Sequence, residues 1–451
     1  MSTLAQLRSG ALAGSQRLSL SDGLQTFPPE IFALADTLEI LDLSGNALSA
    51  LPDDLPRLRK LRIIFCSDNQ FTTLPEVLGQ CPHLQMVGFR ANRIHTVSAA
   101  ALPPALRWLV LTGNQISALP ADMGRCADLQ KLMLSGNQLS ALPPEMAACQ
   151  RLELLRIAAN RFTALPDWLL TLPRLAWLAY AGNPLDERAE AAAQAAAPLA
   201  RIGWSSLTLA HTLGEGASGV IHQALWQPGD AQPPQPVAVK LFKGALTSDG
   251  LPQHEMAACI SAGAHPNLIA VHGQIDAHPD NASGLVMALI DPRFRNLAGP
   301  PSLASCTRDV YEADTQFTLD AVIRLARGIA SAAQQLHARG ILHGDLYAHN
   351  ILRNEDGQAL LGDFGAASFF AADAEPVALA LQRVEVRAFS CLLEELLARC
   401  QPPAAAQAVW QTLAALQADC AQDDPAARPL FASIAQTLAQ CQQDSARLSP
   451  A

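Results

Sequence analysis

The feature that most constrains this chain is a short repeat that fills its first half. Asparagine recurs at one phase of the repeat, at intervals of 22 or 23 residues. Segments such as LSGNQLSALP share the pattern Leu-x-Leu-x-x-Asn-x-Leu-x-x-Leu-Pro, and a weaker copy with Gly23 at the asparagine phase precedes them. Because one such unit is too short to bury its own leucines, the copies must stack into a solenoid. The asparagines are Asn46, Asn69, Asn92, Asn114, Asn137, Asn160 and Asn183.

This period and pattern resemble those of leucine-rich-repeat proteins, and the resemblance covers roughly residues 15 to 185. It implies an α/β solenoid of about eight units. The residues three and five before each asparagine, such as Leu132 and Leu134, are expected to point inward from a short strand. The asparagine side chains are expected to bond backbone groups left free where each strand turns, forming a ladder along the stack.

The strand positions between the inward leucines would form the concave face of such a solenoid. Aromatic and basic residues gather there, which is typical of a protein-binding surface. A second interpretation, that some of these residues pack against the second domain, stays open. The positions are Ile63, Phe65, Met86, Arg90, Trp108, Val110, Lys131, Met133, Leu154, Arg156 and Trp177.

Composition narrows the classes of function. Hydrophobic residues make up 50% of the 451 residues and charged residues 16%, which excludes an intrinsically disordered chain. The net charge of −10, without clustered Lys or Arg, disfavours nucleic acid as a partner. No apolar stretch reaches the about 18 residues that span a bilayer, so we expect no membrane partner and a cytoplasmic protein.

The ten cysteines form no Cys-x-x-Cys pair, so neither a zinc site nor a disulfide framework is indicated. Cys81, Cys126 and Cys149 each follow a repeat asparagine by twelve residues. Recurrence at one phase is typical of a small residue buried in the core. We therefore expect reduced, structural cysteines.

Beyond the repeats, the Ala-rich segment 186–204 predicts a capping helix and a linker. The stretch LGEGASGV then contains Gly214, Gly216 and Gly219, followed by Val220. An apolar alternation follows, and not a helical pattern, so the glycines are expected to join two antiparallel strands. Lacking β-carbons, these glycines would let the backbone approach the phosphates of a nucleotide.

A lysine and a glutamate downstream form a natural pair. Lys240 ends the segment VAVK, which has the character of a buried strand. Burying an unpaired lysine there would cost free energy, because its charge would lose its hydration. Glu255 is the one acid in the helical stretch PQHEMAACISAG. We therefore expect an ion pair between Lys240 and Glu255.

Two further motifs complete the set. HGDLYAHN carries Asp345 and Asn350, and Asp-Phe-Gly begins thirteen residues later at Asp363. In this order, the motifs resemble those of protein kinases, and the resemblance runs from about residue 207 to residue 439. It implies a multidomain chain: the solenoid at residues 1–185, the linker at 186–204, and a two-lobed α+β protein-kinase-like domain at 205–445.

The kinase resemblance also implies ATP and Mg²⁺ as cofactors. Asp345 is expected to act on the substrate hydroxyl, with Lys240 and Glu255 as the other catalytic residues. Asn350 and Asp363 are expected to bind Mg²⁺. The residues expected to contact ATP are Leu213, Gly214, Gly216, Gly219, Val220, Ala238, Lys240, Leu352 and Met287, the last at the hinge between the lobes.

Three positions depart from the family pattern. Gly344 stands where most protein kinases carry an arginine that grips a phosphorylated activation loop. The segment 365–385 is too short for the usual activation loop, so its phosphorylation is not expected to be required. Tyr347 stands at the position of a phosphate-contacting lysine, with His349 as a partial substitute, and this leaves the acceptor class open.

The first interpretation is phosphoryl transfer from ATP to a protein hydroxyl, serine or threonine ahead of tyrosine, with the repeats recruiting a protein partner. Two alternatives stay open. His-Gly-Asp-Leu is similar to the loop of aminoglycoside and choline kinases, which act on small molecules. The other alternative is a pseudokinase scaffold that uses the repeats for protein binding.

Overall fold

A computed structural model of the chain describes residues 3–197, 200–216, 218–229, 232–244, 246–247, 249–372, 375–402 and 404–448. The chain divides into two compact units. The first comprises Met1–Leu175 and Asn183–Leu185. The second comprises Ala176–Gly182 and Asp186–Ala451, so it begins inside the last copy of the repeat and includes the Ala-rich segment.

The first unit is the expected α/β solenoid. A short helix, α1 (Thr3–Arg8), precedes parallel strands that pair in chain order, one strand from each repeat. The inward residues Leu41, Leu43, Leu132 and Leu134 are fully buried, as the repeat pattern predicts. The strands are β1 (Arg17–Ser19), β2 (Ile40–Asp42), β3 (Ile63–Phe65), β4 (Met86–Gly88), β5 (Trp108–Val110), β6 (Lys131–Met133) and β7 (Leu154–Arg156).

Short 3₁₀ helices form the opposite side of the solenoid. Most of them follow the Leu-Pro ends of the repeats, because proline suits the first turn of a helix and cannot donate to a sheet. The helix at Ala99–Ala101 instead follows Val97 and Ser98. Their ranges are Pro29–Leu34, Leu55–Arg57, Glu76–Gln80, Ala99–Ala101, Ala121–Arg125, Pro144–Ala148 and Asp167–Thr171.

The asparagine ladder runs through the stack. In one rung, the Asn114 amide donates to the carbonyl oxygens of Phe89, at 2.9 Å, and Leu111, at 2.8 Å. Its Oδ1 accepts from the backbone N–H of Ile94 at 3.0 Å. Each such side chain thereby satisfies backbone groups of its own turn and of the preceding repeat, which are groups that would otherwise be buried without partners.

One concave-face residue was assigned wrongly from the sequence. Strand β4 ends at Gly88, so Arg90 lies two residues beyond it and is exposed. The strand positions of that repeat are Met86 and Gly88. Trp108 and Lys131 do lie on adjacent strands of this face. The Lys131 ammonium is 4.3 Å from the centre of the Trp108 ring.

The recurring cysteines belong to the core of the first unit. Cys81, Cys126 and Cys149 are buried and carry free thiols. Burial raises the pKa of each of these thiols to about 11. Unreactive thiols are what a structural cysteine requires.

The second unit opens with strand β8 (Trp177–Ala179), helix α2 (Glu187–Ala196) and strand β9 (Arg201–Gly203). A mixed sheet follows, in the order β10-β11-β12-β14-β13-β9. Helix α3 (Pro252–Ala262) connects β12 to β13 in the chain. The sheet strands are β10 (Leu207–Glu215), β11 (Gly219–Trp226), β12 (Gln235–Phe242), β13 (Val271–Asp276) and β14 (Gly284–Ala288).

The remainder of the second unit is mainly helical. Its longest helices have an apolar stripe. In α4 the stripe consists of apolar residues spaced three or four positions apart and fully buried: Val322, Ala326, Ile329 and Ala333. The helices are α4 (Leu319–Ala338), α5 (Val377–Leu397), α6 (Gln407–Cys420) and α7 (Phe431–Leu448). Short strands accompany them: β15 (Arg295–Asn296), β16 (Ile341–Leu342), β17 (Ile351–Arg353), β18 (Ala359–Leu361) and β19 (Ser368–Phe369).

Within the described residues, none of the helices combines the length and the apolarity needed to cross a bilayer.

The ladder generates a stability prediction. Replacing Asn114 by alanine leaves buried backbone groups without partners, and we expect a loss of about 2 kcal/mol in the unfolding free energy of the first unit. Gln115→Ala, which removes the exposed amide next to it, should change this free energy by less than about 0.5 kcal/mol. Denaturant unfolding of both variants checks the difference, and equal losses would contradict the ladder's role.

Candidate active site

The glycine-rich turn, strand β12 and the Asp-Phe-Gly segment surround one cavity of about 230 Å³. The turn is closed by a hydrogen bond from the Gly216 N–H to the Gly219 carbonyl oxygen at 2.9 Å. Strands β10 and β11 on either side are antiparallel, the arrangement that the sequence predicts. The cavity is lined by Gly216, Ser218, Gly219, Ile221, Lys240, Thr247, Asp249, Asp363 and Gly365.

The glycines of this turn differ in what surrounds them. A β-carbon at Gly219 would overlap the carbonyl oxygen of Leu241 on the paired strand, so the protein itself requires glycine there. At Gly214 and Gly216, no atom of the described chain lies within 4 Å of a β-carbon position. The fold therefore leaves open space above these two glycines, as a phosphate-binding turn needs.

Lys240 and Glu255 form a buried ion pair between strand β12 and helix α3. Their side chains are 13% and 2% exposed. Burial opposes the charge on the lysine, but the Glu255 carboxylate and then Asp363 outweigh it and raise the pKa of Lys240 above its ordinary value. The lysine is therefore held as a cation on the wall of the cavity.

The two residues after Gly219 differ in whether they line the cavity. Side chains alternate along a strand. Ile221, which pairs with Lys240, lines the cavity, and Val220, which pairs with Leu241, does not. Ile221 therefore lies where a ligand in this cavity would meet it, and the contact of Val220 with ATP stays a prediction.

The other predicted nucleotide contacts lie outside this cavity. Ala238 and Met287 are cross-strand partners on β12 and β14. Leu213 is 47% exposed near the end of β10, and Leu352 lies on β17 opposite Leu360. Their contact with the adenine stays a prediction.

The catalytic-loop motif forms a tight local arrangement. The Asn350 amide donates to the Asp345 carboxylate at 2.7 Å and to the Asp345 carbonyl oxygen at 2.9 Å. The ring of His343, fully buried, bonds the carbonyl oxygen of Gly362 at 2.9 Å and so joins the loop to the residue before Asp363. Asp363 adopts a φ of +53°, and its Oδ1 accepts from the Gly365 N–H at 3.1 Å.

These side chains offer oxygen donors. Asp345 and Asp363 carry carboxylate oxygens, and Asn350 uses its amide nitrogen on Asp345, so its Oδ1 is the atom it could present to a metal ion. Hard oxygen donors of this kind are what Mg²⁺ prefers.

Gly344 occupies a position that admits no side chain. Its φ is +73°, and a β-carbon would lie 2.6 Å from the carbonyl oxygens of Leu178 and Ala366. Its N–H donates to the Glu385 carboxylate at 2.8 Å, which also bonds the His337 ring at 2.7 Å. Burial alone would raise the pKa of Glu385, but the hydrogen bonds from His337 and Gly344 lower it below its ordinary value.

His349 has a partner that the sequence does not reveal. Its Nδ1 bonds Asp309 at 2.7 Å, and its backbone N–H donates to the other oxygen of the same carboxylate at 3.1 Å. Burial opposes a charge on the ring, but this bond and the charge of Asp309 outweigh it and raise the pKa of His349. Asp309 lies in the stretch between β15 and α4, whose sequence carries no motif that points to the catalytic loop.

Comparison with known proteins agrees with this geometry. Residues 207–391 match the family model described as protein tyrosine and serine/threonine kinase, and residues 37–58 match the leucine-rich-repeat model. The second unit carries a protein kinase domain. The Asp345 loop and the Lys240–Glu255 pair lie within the matched part of this kinase domain.

Curated relatives match limited parts of this chain. The human PH domain leucine-rich repeat-containing protein phosphatase 1 is 37% identical over 92 residues, 20% of this chain and 5% of that protein. A probable serine/threonine-protein kinase of Dictyostelium discoideum is 30% identical over 152 residues, 34% of this chain and 8% of that protein. A probable LRR receptor-like serine/threonine-protein kinase of Arabidopsis thaliana is 28% identical over 180 residues, which are 38% of this chain and 27% of that protein. The chain thus spans a small part of the length of these relatives.

The crowding around Gly344 generates a stability prediction. Gly344→Ala combines left-handed strain with overlap, and we expect a loss of more than about 2 kcal/mol in the unfolding free energy of the kinase domain. Gly244 has a φ of +70° and no atom within 4 Å of a β-carbon position, so Gly244→Ala carries the strain alone. Thermal unfolding of the two variants separates the overlap from the strain. Equal losses would show that Gly344 is not crowded.

The His349–Asp309 bond generates a pH prediction. Because the pKa of His349 is raised, its stabilisation is fully present below the unfolded value of about 6.5 and is lost as pH rises through the raised value. The stability difference between the wild type and Asp309→Asn should therefore be largest near pH 6 and should shrink as pH rises. Unfolding at a series of pH values measures it. A difference that is constant from pH 6 to pH 9 would contradict this pairing.

Proposed function

We propose that this chain transfers the γ-phosphoryl group of ATP to a hydroxyl group of a protein, serine or threonine ahead of tyrosine. The observation that carries the proposal is the cavity in which Lys240, paired with Glu255, and Asp363 lie beneath the glycine-rich turn. This arrangement offers a fixed cation, open backbone and a carboxylate on one wall. Phosphoryl transfer depends mainly on such positioning and electrostatics.

Each residue has a distinct part in the proposed reaction. The turn from Gly216 to Gly219 covers the phosphates, and Lys240 contacts their oxygens while Glu255 holds its ammonium in place. Asp345 accepts a hydrogen bond from the acceptor hydroxyl and orients it toward the phosphorus. Asn350 and Asp363 would hold Mg²⁺, which neutralises phosphate charge when bound.

The proposal includes a kinase domain that does not depend on activation-loop phosphorylation. Most protein kinases have an arginine in the catalytic loop that binds the phosphorylated activation loop. Here the residue is Gly344, and a side chain would overlap two carbonyl oxygens. Its N–H already bonds Glu385. With no cation at residue 344, a phosphorylated residue in the segment after Asp363 would lack the arginine that receives it in most protein kinases.

The repeats are proposed to recruit the protein partner through their concave face. Trp108 and Lys131 support this, because they lie together on adjacent strands and each is partly exposed. Aromatic and cationic residues of this kind provide the anchors of protein interfaces.

The proposal predicts that Asp345→Asn lowers phosphoryl transfer by about 100-fold or more, since it removes the group that orients the acceptor hydroxyl. Asp356→Asn, the same change at an exposed turn, should leave transfer unaltered. Transfer from labelled Mg-ATP is measured on the full chain, with the chain itself, a protein panel and a panel of small alcohols as acceptors.

Full activity in Asp345→Asn would contradict the assignment of this residue. Transfer only to small alcohols would favour a small-molecule kinase. Binding of ATP without transfer to any acceptor would favour the scaffold alternative.

A further inference from the structure

The second unit contains a segment that its kinase motifs do not include. Residues Ala176–Gly182 and helix α2 belong to this unit, although Trp177 sits at the strand phase of the last repeat. Residues Trp177–Gly182 and helix α2 contact three parts of the kinase machinery, and each contact involves a different side chain.

The first contact is with the catalytic loop. The Trp177 ring stacks on the Tyr347 ring with centroids 4.1 Å apart and planes within 7°. The Trp177 indole N–H donates to the carbonyl oxygen of Leu346 at 3.2 Å. Trp177 is 1% exposed and Tyr347 4%, so the stack is buried. Tyr347 therefore serves as a packing surface for the loop, at the position where the kinase resemblance implies a phosphate-contacting lysine.

The second contact is with strand β19, just after Asp-Phe-Gly. The backbone N–H of Tyr180 donates to Ser368 Oγ at 2.9 Å, and its hydroxyl donates to the Phe369 carbonyl oxygen at 3.1 Å. Burial raises the pKa of Tyr180 well above its ordinary value, so the hydroxyl remains a donor. Strand β19 pairs with β16, which leads directly into the catalytic loop.

The same segment explains Gly344. The carbonyl oxygen of Leu178 occupies the space that a side chain at residue 344 would need. The loop and the segment are thus complementary in shape. A kinase loop with arginine at this position could not accept the segment as it lies here.

The third contact is with helix α3. The Glu190 carboxylate of α2 bonds His254 Nδ1 at 2.7 Å, with both side chains mostly buried. His254 immediately precedes Glu255, which pairs with Lys240. Glu190 therefore fixes the helix turn that presents the ion-pair carboxylate.

We infer that Trp177–Gly182 together with helix α2 is a built-in brace that holds the catalytic loop, strand β19 and helix α3 in their working arrangement without phosphorylation. Trp177, Tyr180 and Glu190 are positioning residues, since each touches a part of the catalytic machinery and none lines the cavity. This inference rests on the proposed phosphoryl transfer for its consequence in rate, but its structural content can be tested without turnover.

The two ends of the brace predict different effects. Trp177 touches the catalytic loop, so Trp177→Ala should lower kcat about 10-fold and leave the Kd of a non-hydrolysable ATP analogue within about twofold. Trp177→Phe keeps a ring for stacking and should recover most of the rate. Glu190→Gln acts on α3 and should weaken binding of the analogue about three- to tenfold.

The experiment uses the full chain in every case. Hydrogen exchange of residues 342–350 is measured in the wild type, Trp177→Ala and Trp177→Phe, and should speed up about 10-fold in the alanine variant alone. Analogue binding is measured for Glu190→Gln against Glu187→Gln. Glu187 is an exposed acid on the same helix, so its variant carries the same loss of charge and should match the wild type.

Unchanged exchange in folded Trp177→Ala would overturn the inference, as would equal analogue binding in Glu190→Gln and Glu187→Gln. If Trp177→Ala does not fold, the analogue binding of Glu190→Gln against Glu187→Gln still decides. If exchange and binding change as expected but the wild type transfers no phosphate, the brace is supported and the proposed function fails. If the wild type transfers phosphate and the brace variants keep its rate, exchange and analogue affinity, the proposed function stands and the brace fails.

Discussion

The stacking of Trp177 on Tyr347 determines how much of the chain the kinase domain needs. The Tyr347 ring is 4% exposed and cannot contact a substrate phosphate, so this residue of the loop serves in packing. The partner ring comes from the end of the repeat pattern, 170 residues earlier in the chain. The compact unit that contains the active site therefore starts inside the last repeat, before the glycine-rich turn.

Buried charges impose a second constraint on this unit. Lys240 is paired with Glu255, Glu385 with His337 and the Gly344 N–H, and Asp309 with His349. Each charge is stable in the interior because a partner offsets the lost hydration, and removing one partner would leave the other uncompensated. These pairs join helix α3, helix α5 and the stretch before α4 to the loop and the sheet, so the same contacts that permit burial also fix the geometry around the cavity.

The sequence predicts the solenoid and the order of the kinase motifs well. A strict period repeats the same burial and hydrogen-bonding requirement in every unit, so the inward leucines and the ladder asparagines can be recognised from the sequence. Lys240 and Glu255 are predictable for a related reason, since a buried lysine needs an acid and α3 offers only one. Single-position details are less secure. Arg90 was counted as a strand residue, although β4 ends two residues before it. Ile221 lines the cavity and its neighbour Val220 does not, because successive residues of a strand point to opposite faces.

Long-range partners could not be predicted. Asp309 and Glu190 lie in segments without a motif, and nothing local distinguishes them from ordinary surface acids. Trp177 is recognisable as a strand residue of the repeat, but its stacking partner depends on how distant segments meet. The sequence shows that Gly344 stands in place of an arginine. The reason for glycine is the nearby carbonyl oxygen of Leu178, which becomes visible only in the folded chain.

A double-mutant cycle between Trp177 and Tyr347 tests the central claim most directly. The unfolding free energy of the kinase domain is measured for the wild type, Trp177→Leu, Tyr347→Leu and the double variant. A buried stacked pair predicts a coupling of about 0.5–1.5 kcal/mol between the two substitutions. Strictly additive losses would show that the two rings do not depend on each other, and would contradict the account of a kinase domain completed by the end of the repeats.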